Sequence, residues 1–176
     1  MRFISCCIAL LLLLAGPASA QWTVEYQRGN SDTYYAIHFP TSTVGYMVGA
    51  SGLIMKTTDG GSTWTQQTSN TTATLNGVFF KSATEGWAVG SAGAIISTTD
   101  GGVNWNVHAQ SGVLTTSTFN DVYFVGNNGW AGNDDDNVYR TTDNGVNWAL
   151  SGDFTDDANS VSFADANNGY VALDGL

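Results

Sequence analysis

From about residue 33 onward the chain is built of short runs in which apolar and polar side chains alternate, each bounded by Gly, Asn or Ser. Period-two runs of this length predict strands with one buried face. Between residues 73 and 114 four of them follow one another, at about Gly77–Lys81, Gly86–Gly90, Ala94–Thr98 and Val103–Ala109. No segment sustains helical periodicity, so the pattern predicts an all-β protein.

The runs repeat. An apolar-x-Phe segment recurs as Ile37-His-Phe39, Val78-Phe-Phe80, Val122-Tyr-Phe124 and Val161-Ser-Phe163. A Gly-aromatic segment follows it each time, at Gly45-Tyr, Gly86-Trp, Gly129-Trp and Gly169-Tyr. A third marker reads Thr57-Thr-Asp-Gly-Gly-Ser-Thr-Trp64, Thr98-Thr-Asp-Gly-Gly-Val-Asn-Trp105 and Thr141-Thr-Asp-Asn-Gly-Val-Asn-Trp148. Its tryptophans are 41 and 43 residues apart, and Trp22 lies 42 residues before Trp64. Four short strands per ~40–45 residues is the unit of a β-propeller blade.

The register divides the chain. Residues 21–27 read as an orphan fourth strand, and blades are expected over about 33–71, 73–114 and 118–153. A truncated blade covers 159–176, where Asp174-Gly175-Leu176 matches the entry to the third strand seen at Ser51-Gly52-Leu53. The expectation is about three and a half blades of an incomplete ring, part of a propeller of about six to eight blades.

Residues 1–20 read as a signal peptide. Arg2 precedes the apolar run Ile8–Ala15, which is too short to span a bilayer, and Ala18-Ser19-Ala20 offers the small residues a signal peptidase needs. Cleavage is expected before Gln21, with no stable membrane anchor remaining. Both cysteines, Cys6 and Cys7, leave with the leader. The predicted location is periplasmic, extracellular or thylakoid-lumenal.

Composition narrows the function classes. The chain carries 15 acidic and 5 basic side chains for a formal charge of −10. Removing the leader with Arg2 takes this to −11. Such a surface has no basic face with which to neutralise phosphates, so no nucleic-acid partner is expected.

The third marker has a mechanical role. A tight turn needs residues that tolerate positive φ, which Gly supplies. An Asp carboxylate can accept backbone amides of its own loop, and a Thr hydroxyl does the same. Thr57, Asp59, Gly61 and Trp64 are thus predicted to form a structural corner, as are Thr98, Asp100, Gly102 and Trp105. Thr141, Asp143, Gly145 and Trp148 form the third. Carboxylates used once per repeat sit on separate corners, which argues against a shared catalytic or metal site.

The T-x-D-G-G-x-x-W turn at this spacing resembles the Asp-box, or BNR repeat, of sialidase- and sortilin-type propellers. The fuller pattern from Gly86 to Trp105 is similar to that of the photosystem II stability/assembly factor family, over most of the chain from Thr33 onward. The resemblance implies a non-catalytic propeller that binds photosystem II subunits during assembly. It also implies a cluster of arginines in photosynthetic members; here only Arg28 and Arg140 follow the leader, with Lys56 and Lys81.

The turn between second and third strands is short in two repeats, but in the third it becomes Gly132-Asn-Asp-Asp-Asp-Asn137. Blade topology puts it on the same face as the next inter-blade loop. Asp134, Asp135, Asp136, Asp156 and Asp157 are therefore expected to form a local acidic cluster. Three readings stand: hard oxygen ligands for Ca²⁺, a contact for a basic protein partner, or a solvated turn. No other cofactor and no catalytic residue is expected. His38 and His108 lie in different blades without metal-ligand spacing. Two arginines cannot supply the three that related sialidases use on a carboxylate. The leading function is a protein-binding assembly scaffold. The alternative is a carbohydrate-binding or glycoside-hydrolase propeller, since the abundant Asp does not exclude a two-carboxylate glycosidase.

Overall fold

The computed structural model describes residues 32–108 and 116–174. The leader, the orphan strand over 21–27 and the end of the second predicted blade lie outside the described residues.

Three four-stranded antiparallel sheets and one two-stranded sheet follow in chain order. The first holds β1 (Tyr34–His38), β2 (Gly45–Gly49), β3 (Ile54–Thr57) and β4 (Thr65–Gln67). The second holds β5 (Leu75–Phe80), β6 (Gly86–Gly90), β7 (Ile95–Thr98) and β8 (Asn106–Val107). The third holds β9 (Phe119–Val125), β10 (Asn128–Asn133), β11 (Asn137–Thr141) and β12 (Ala149–Asp153). β13 (Ala158–Phe163) and β14 (Gly169–Leu173) form the last. Within each sheet the strands lie in sequence order. The first strands of successive sheets pack side by side. The chain is an all-β, incomplete β-propeller.

β8 is shorter than the alternation predicts. The Asn104 amide and its side-chain Nδ2 both donate to the Asp100 carboxylate, at 2.9 and 2.7 Å. Residues up to Asn104 are thus held in the turn rather than released to pair with β7.

Each blade packs on the next through one repeated seam. Tyr46 stacks on Phe80 at 3.6 Å and 7°, Trp87 on Phe124 at 3.8 Å and 20°, and Trp130 on Phe163 at 3.7 Å and 9°. The Phe belongs to the apolar-x-Phe motif of one blade and its stacking partner to the Gly-aromatic motif of the blade before. Within a blade the turn Trp meets the same Phe edge-on, at 6.0 Å for Phe39–Trp64 and 5.9 Å for Phe80–Trp105 and Phe124–Trp148. The edge-on contacts have a favoured aromatic geometry, and the near-parallel stacks bring the rings to van der Waals separation.

The same Phe rings explain the glycine of the Gly-aromatic motif. Phe80 pairs with Gly86 across β5 and β6. A Cβ built on Gly86 would stand 2.4 Å from the Phe80 ring, and Gly45, Gly129 and Gly169 meet their own Phe at 2.3–2.5 Å. The ring lies flat over the backbone there, and only Gly leaves room.

Candidate functional site

The two faces of the blade array carry different turns. On one face lie the Thr-x-Asp turns. Thr57 Oγ1 donates to Asp59 Oδ1 at 2.8 Å and accepts the Gly61 amide at 2.9 Å. The other Asp59 oxygen accepts the Thr63 hydroxyl at 2.6 Å. Thr98/Asp100/Gly102 and Thr141/Asp143/Gly145 repeat this arrangement. Each turn is tied to the connection between the first two strands of its blade, as Gly60 N to Thr43 O, Gly101 N to Thr84 O and Asn144 N to Asn127 O show. These hydrogen bonds favour the ionised acid and hold all three carboxyls down at about 2. The Thr63 hydroxyl is the largest cause for Asp59, and the backbone amides of Asn104 and Asn147 for Asp100 and Asp143. Each carboxylate thus accepts three hydrogen bonds from its own corner.

Asn144 stands where the other two turns have Gly, at φ +65°. Its side chain uses the position: Oδ1 accepts Lys81 Nζ at 2.6 Å and Nδ2 donates to Glu85 at 2.7 Å, joining the second and third blades.

On the opposite face lie the turns between second and third strands, each hydrogen-bonded to the residue that leads into the first strand. Ala50 N donates to Thr33 O, Ser91 N to Thr74 O, Asp134 N to Thr118 O and Asp174 N to Asp157 O, at 2.9–3.1 Å. Ser91 Oγ accepts the Thr74 amide in return, at 2.9 Å. In the third blade the Asp134 carboxylate takes over this task for Thr118, at 2.7 Å. Asp136 adopts φ +62°, and its carbonyl accepts the Phe154 amide at 2.7 Å.

Asp157, in the loop that leads into β13, feels the charge of neighbouring turns on this face. The Asp157 carboxyl is pushed up from its ordinary value, first by desolvation and then by Asp136, Asp174 and Asp134. It also shares a hydrogen bond with Asp136 when protonated. Asp135 points elsewhere, accepting the Ser117 hydroxyl at 2.5 Å, while Asp156 takes the Thr155 hydroxyl at 3.3 Å. The acidic groups that act on Asp157 are thus Asp136, Asp174 and Asp134. In the sequence Asp174 stands out only as the entry to a third strand. Its equivalence to Asp134 in the repeat register is the signal that could have found it. Among the described residues no group of three or more His, Cys, Asp or Glu is arranged to hold a metal ion.

The basic side chains of the described residues are spent at the seams. Lys56 lies over the Tyr46 ring at 5.6 Å, Lys81 over Trp87 at 5.0 Å and Arg140 over Trp130 at 5.5 Å. Each also reaches a carbonyl of the next blade: Lys56 to Gly101 at 2.7 Å, Lys81 to Gly126 at 3.1 Å, and Arg140 to Ala166 at 3.4 Å. They fasten blades together instead of forming a surface patch.

The profile of the family described as photosynthesis system II assembly factor YCF48 matches residues 15–79 and 64–152. The chain belongs to this family. Among solved structures it is similar to "YCF48 bound to D1 peptide", with 29% identity and a TM-score of 0.64 over 71% of this chain and 42% of that one. YCF48 from Cyanidioschyzon merolae is 27% identical with a TM-score of 0.61, over 70% of this chain and 38% of that one. The chain therefore spans about two fifths of the length of these YCF48 structures. A GH74 enzyme from Niastella koreensis shares the fold, with 18% identity and a TM-score of 0.65, over 80% of this chain and 26% of the enzyme. Among curated proteins, none matches.

Among the described residues no helix is long and apolar enough to cross a membrane.

Proposed function

We propose that the chain acts as a non-catalytic protein-binding propeller, an assembly factor of the photosystem II type, working outside the cytoplasm after export by residues 1–20. One observation carries the reading: a YCF48 structure that holds a D1 peptide is 29% identical over 71% of this chain. The disposition of polar groups supports it. The repeated Asp residues are committed to turns, and the cations to seams. The likeness to GH74 enzymes is one of fold, and it singles out no pair of carboxylates for the carbohydrate-binding or glycoside-hydrolase alternative.

The acidic end formed by Asp134, Asp136, Asp157 and Asp174 is the contact we assign to a basic segment of the partner. Like charges gathered on one loop face raise one another's pKa, and a cationic partner relieves that repulsion.

The test is a fluorescence-anisotropy titration of a labelled D1 peptide with this chain, run beside the YCF48 relative. Saturable binding is expected. No binding by this chain under conditions in which the relative saturates would overturn the assembly-factor reading. A second titration with Asp136→Asn/Asp157→Asn separates the contact from the function. Binding that is unchanged in this variant removes the acidic end from the contact and leaves the scaffold reading standing.

A further inference from the structure

Asn144 is followed by Gly145, one of four Asn-Gly pairs in the sequence. In the other three, Asn76-Gly77, Asn128-Gly129 and Asn168-Gly169, the glycine lies in a strand. Gly145 lies in a turn at φ +84°, and Asn144 before it is at φ +65°. The first and second turns carry Gly60 and Gly101 where the third has Asn144, so the pair is particular to the third turn.

Such a pair has a chemistry of its own. The glycine nitrogen, unhindered by a neighbouring Cβ, attacks the asparagine carboxamide carbon. The bond from Cγ to the Gly145 nitrogen forms, the Cγ–Nδ2 bond breaks, and Nδ2 leaves as ammonia with the proton of the glycine amide. Water then opens the cyclic imide to aspartate or isoaspartate.

Each of the three groups that this reaction needs is held in place. The attacking Gly145 amide donates to Thr141 Oγ1 at 3.0 Å. The carboxamide oxygen of Asn144 accepts Lys81 Nζ at 2.6 Å, and the leaving nitrogen donates to Glu85 Oε1 at 2.7 Å. Lys81 and Glu85 belong to the second blade and are joined to each other at 3.2 Å. Both blades of this seam are complete four-stranded sheets. Cyclisation turns the carboxamide onto its own backbone, so the two contacts across the seam have to break first.

We infer that Asn144 is a guarded deamidation site, kept intact by Lys81 and Glu85 and modified when the seam between the second and third blades opens. The product also works against reclosure. A carboxylate oxygen takes the place of the Nδ2 donor beside Glu85, and like charges repel. In isoaspartate the main chain runs through the side-chain carbon as well, which lengthens a turn closed by bonds within four residues.

Tandem mass spectrometry of the full chain, incubated at mildly alkaline pH, tests this. Local opening sets the pace of such a reaction, so the folded parent is expected to deamidate at Asn144 at least about tenfold more slowly than the same chain in denaturing urea. Lys81 and Glu85 are only partly buried, and circular dichroism is expected to show Lys81→Ala and Glu85→Ala folded. Each variant is expected to speed deamidation of the folded chain several-fold and to leave the rate in urea unchanged. Asn144→Gly, which restores the residue of the other two turns, fixes the assignment of the product. A parent that reacts as fast folded as in urea overturns the proposal, and so does one that gives no product at Asn144 even in urea. A folded rate indifferent to both substitutions overturns it as well.

Discussion

Lys81 sits 5.0 Å above the Trp87 ring, whose other neighbour is the Phe124 ring of the next blade at 3.8 Å. A cation and two aromatics thus meet at one seam, and the lysine also reaches Gly126 and Asn144 of that next blade. The seam is where the molecule concentrates both its large rings and its few positive charges.

Trp87→Ala should therefore be among the most damaging single substitutions. The side chain is 1% exposed, and truncating a buried Trp costs about 3–5 kcal/mol. Lys81→Ala, at a partly exposed site, should cost no more than about 1 kcal/mol. Urea unfolding of the two variants checks the order. A lysine variant as damaging as the tryptophan variant would refute it.

Gly86→Ala places a methyl 2.4 Å from the Phe80 ring. Overpacking of this kind costs about 1–3 kcal/mol. If the ring is the cause, the penalty should shrink in a Phe80→Leu background, giving a coupling energy of about 0.5 kcal/mol or more in a double-mutant cycle. Additive losses would mean that the backbone alone disfavours the methyl.

The three turn aspartates make acid stability predictable. Their folded-state pKa values are lowered from 3.8 to about 2. A lowered carboxyl contributes stability that is complete above its unfolded value and is lost as the pH falls through the folded one. Melting temperature should hold down to about pH 4 and fall between pH 4 and 2. Asp100→Asn should flatten that fall, while lowering stability at neutral pH.

Asp157 has the opposite sign. Its carboxyl is raised, so the folded form holds its proton more tightly and deprotonation at neutral pH works against the fold. Asp157→Asn should raise the melting temperature at pH 7, and the gain should shrink as salt is added. A variant less stable than the parent at pH 7 would show that the carboxylate is doing something the repulsion does not capture.

Much of the fold was legible because its information is short-range. The turn at Thr98–Trp105 is closed by bonds within four residues, such as Gly102 N to Thr98 Oγ1. The alternation of Val78 and Phe80 on one face of β5 follows from strand geometry alone. Repetition multiplied these local signals until the architecture followed. Their limits show at β8, where the Asp100 carboxylate captures an amide that alternation assigns to a strand.

How one blade is set against the next is written in no local pattern. The all-β class, the repeat, the turn corners and the acidic character of residues 134–136 are all legible in the residues alone. Packing brought the charge of Asp174, forty residues from Asp134, to bear on Asp157. It carried Lys56, Lys81 and Arg140 to carbonyls of the next blade. The physical reason is the same in each case. A residue's period tells which face of its own strand it takes, whereas its partners are chosen by the rotation between sheets, which no local pattern encodes.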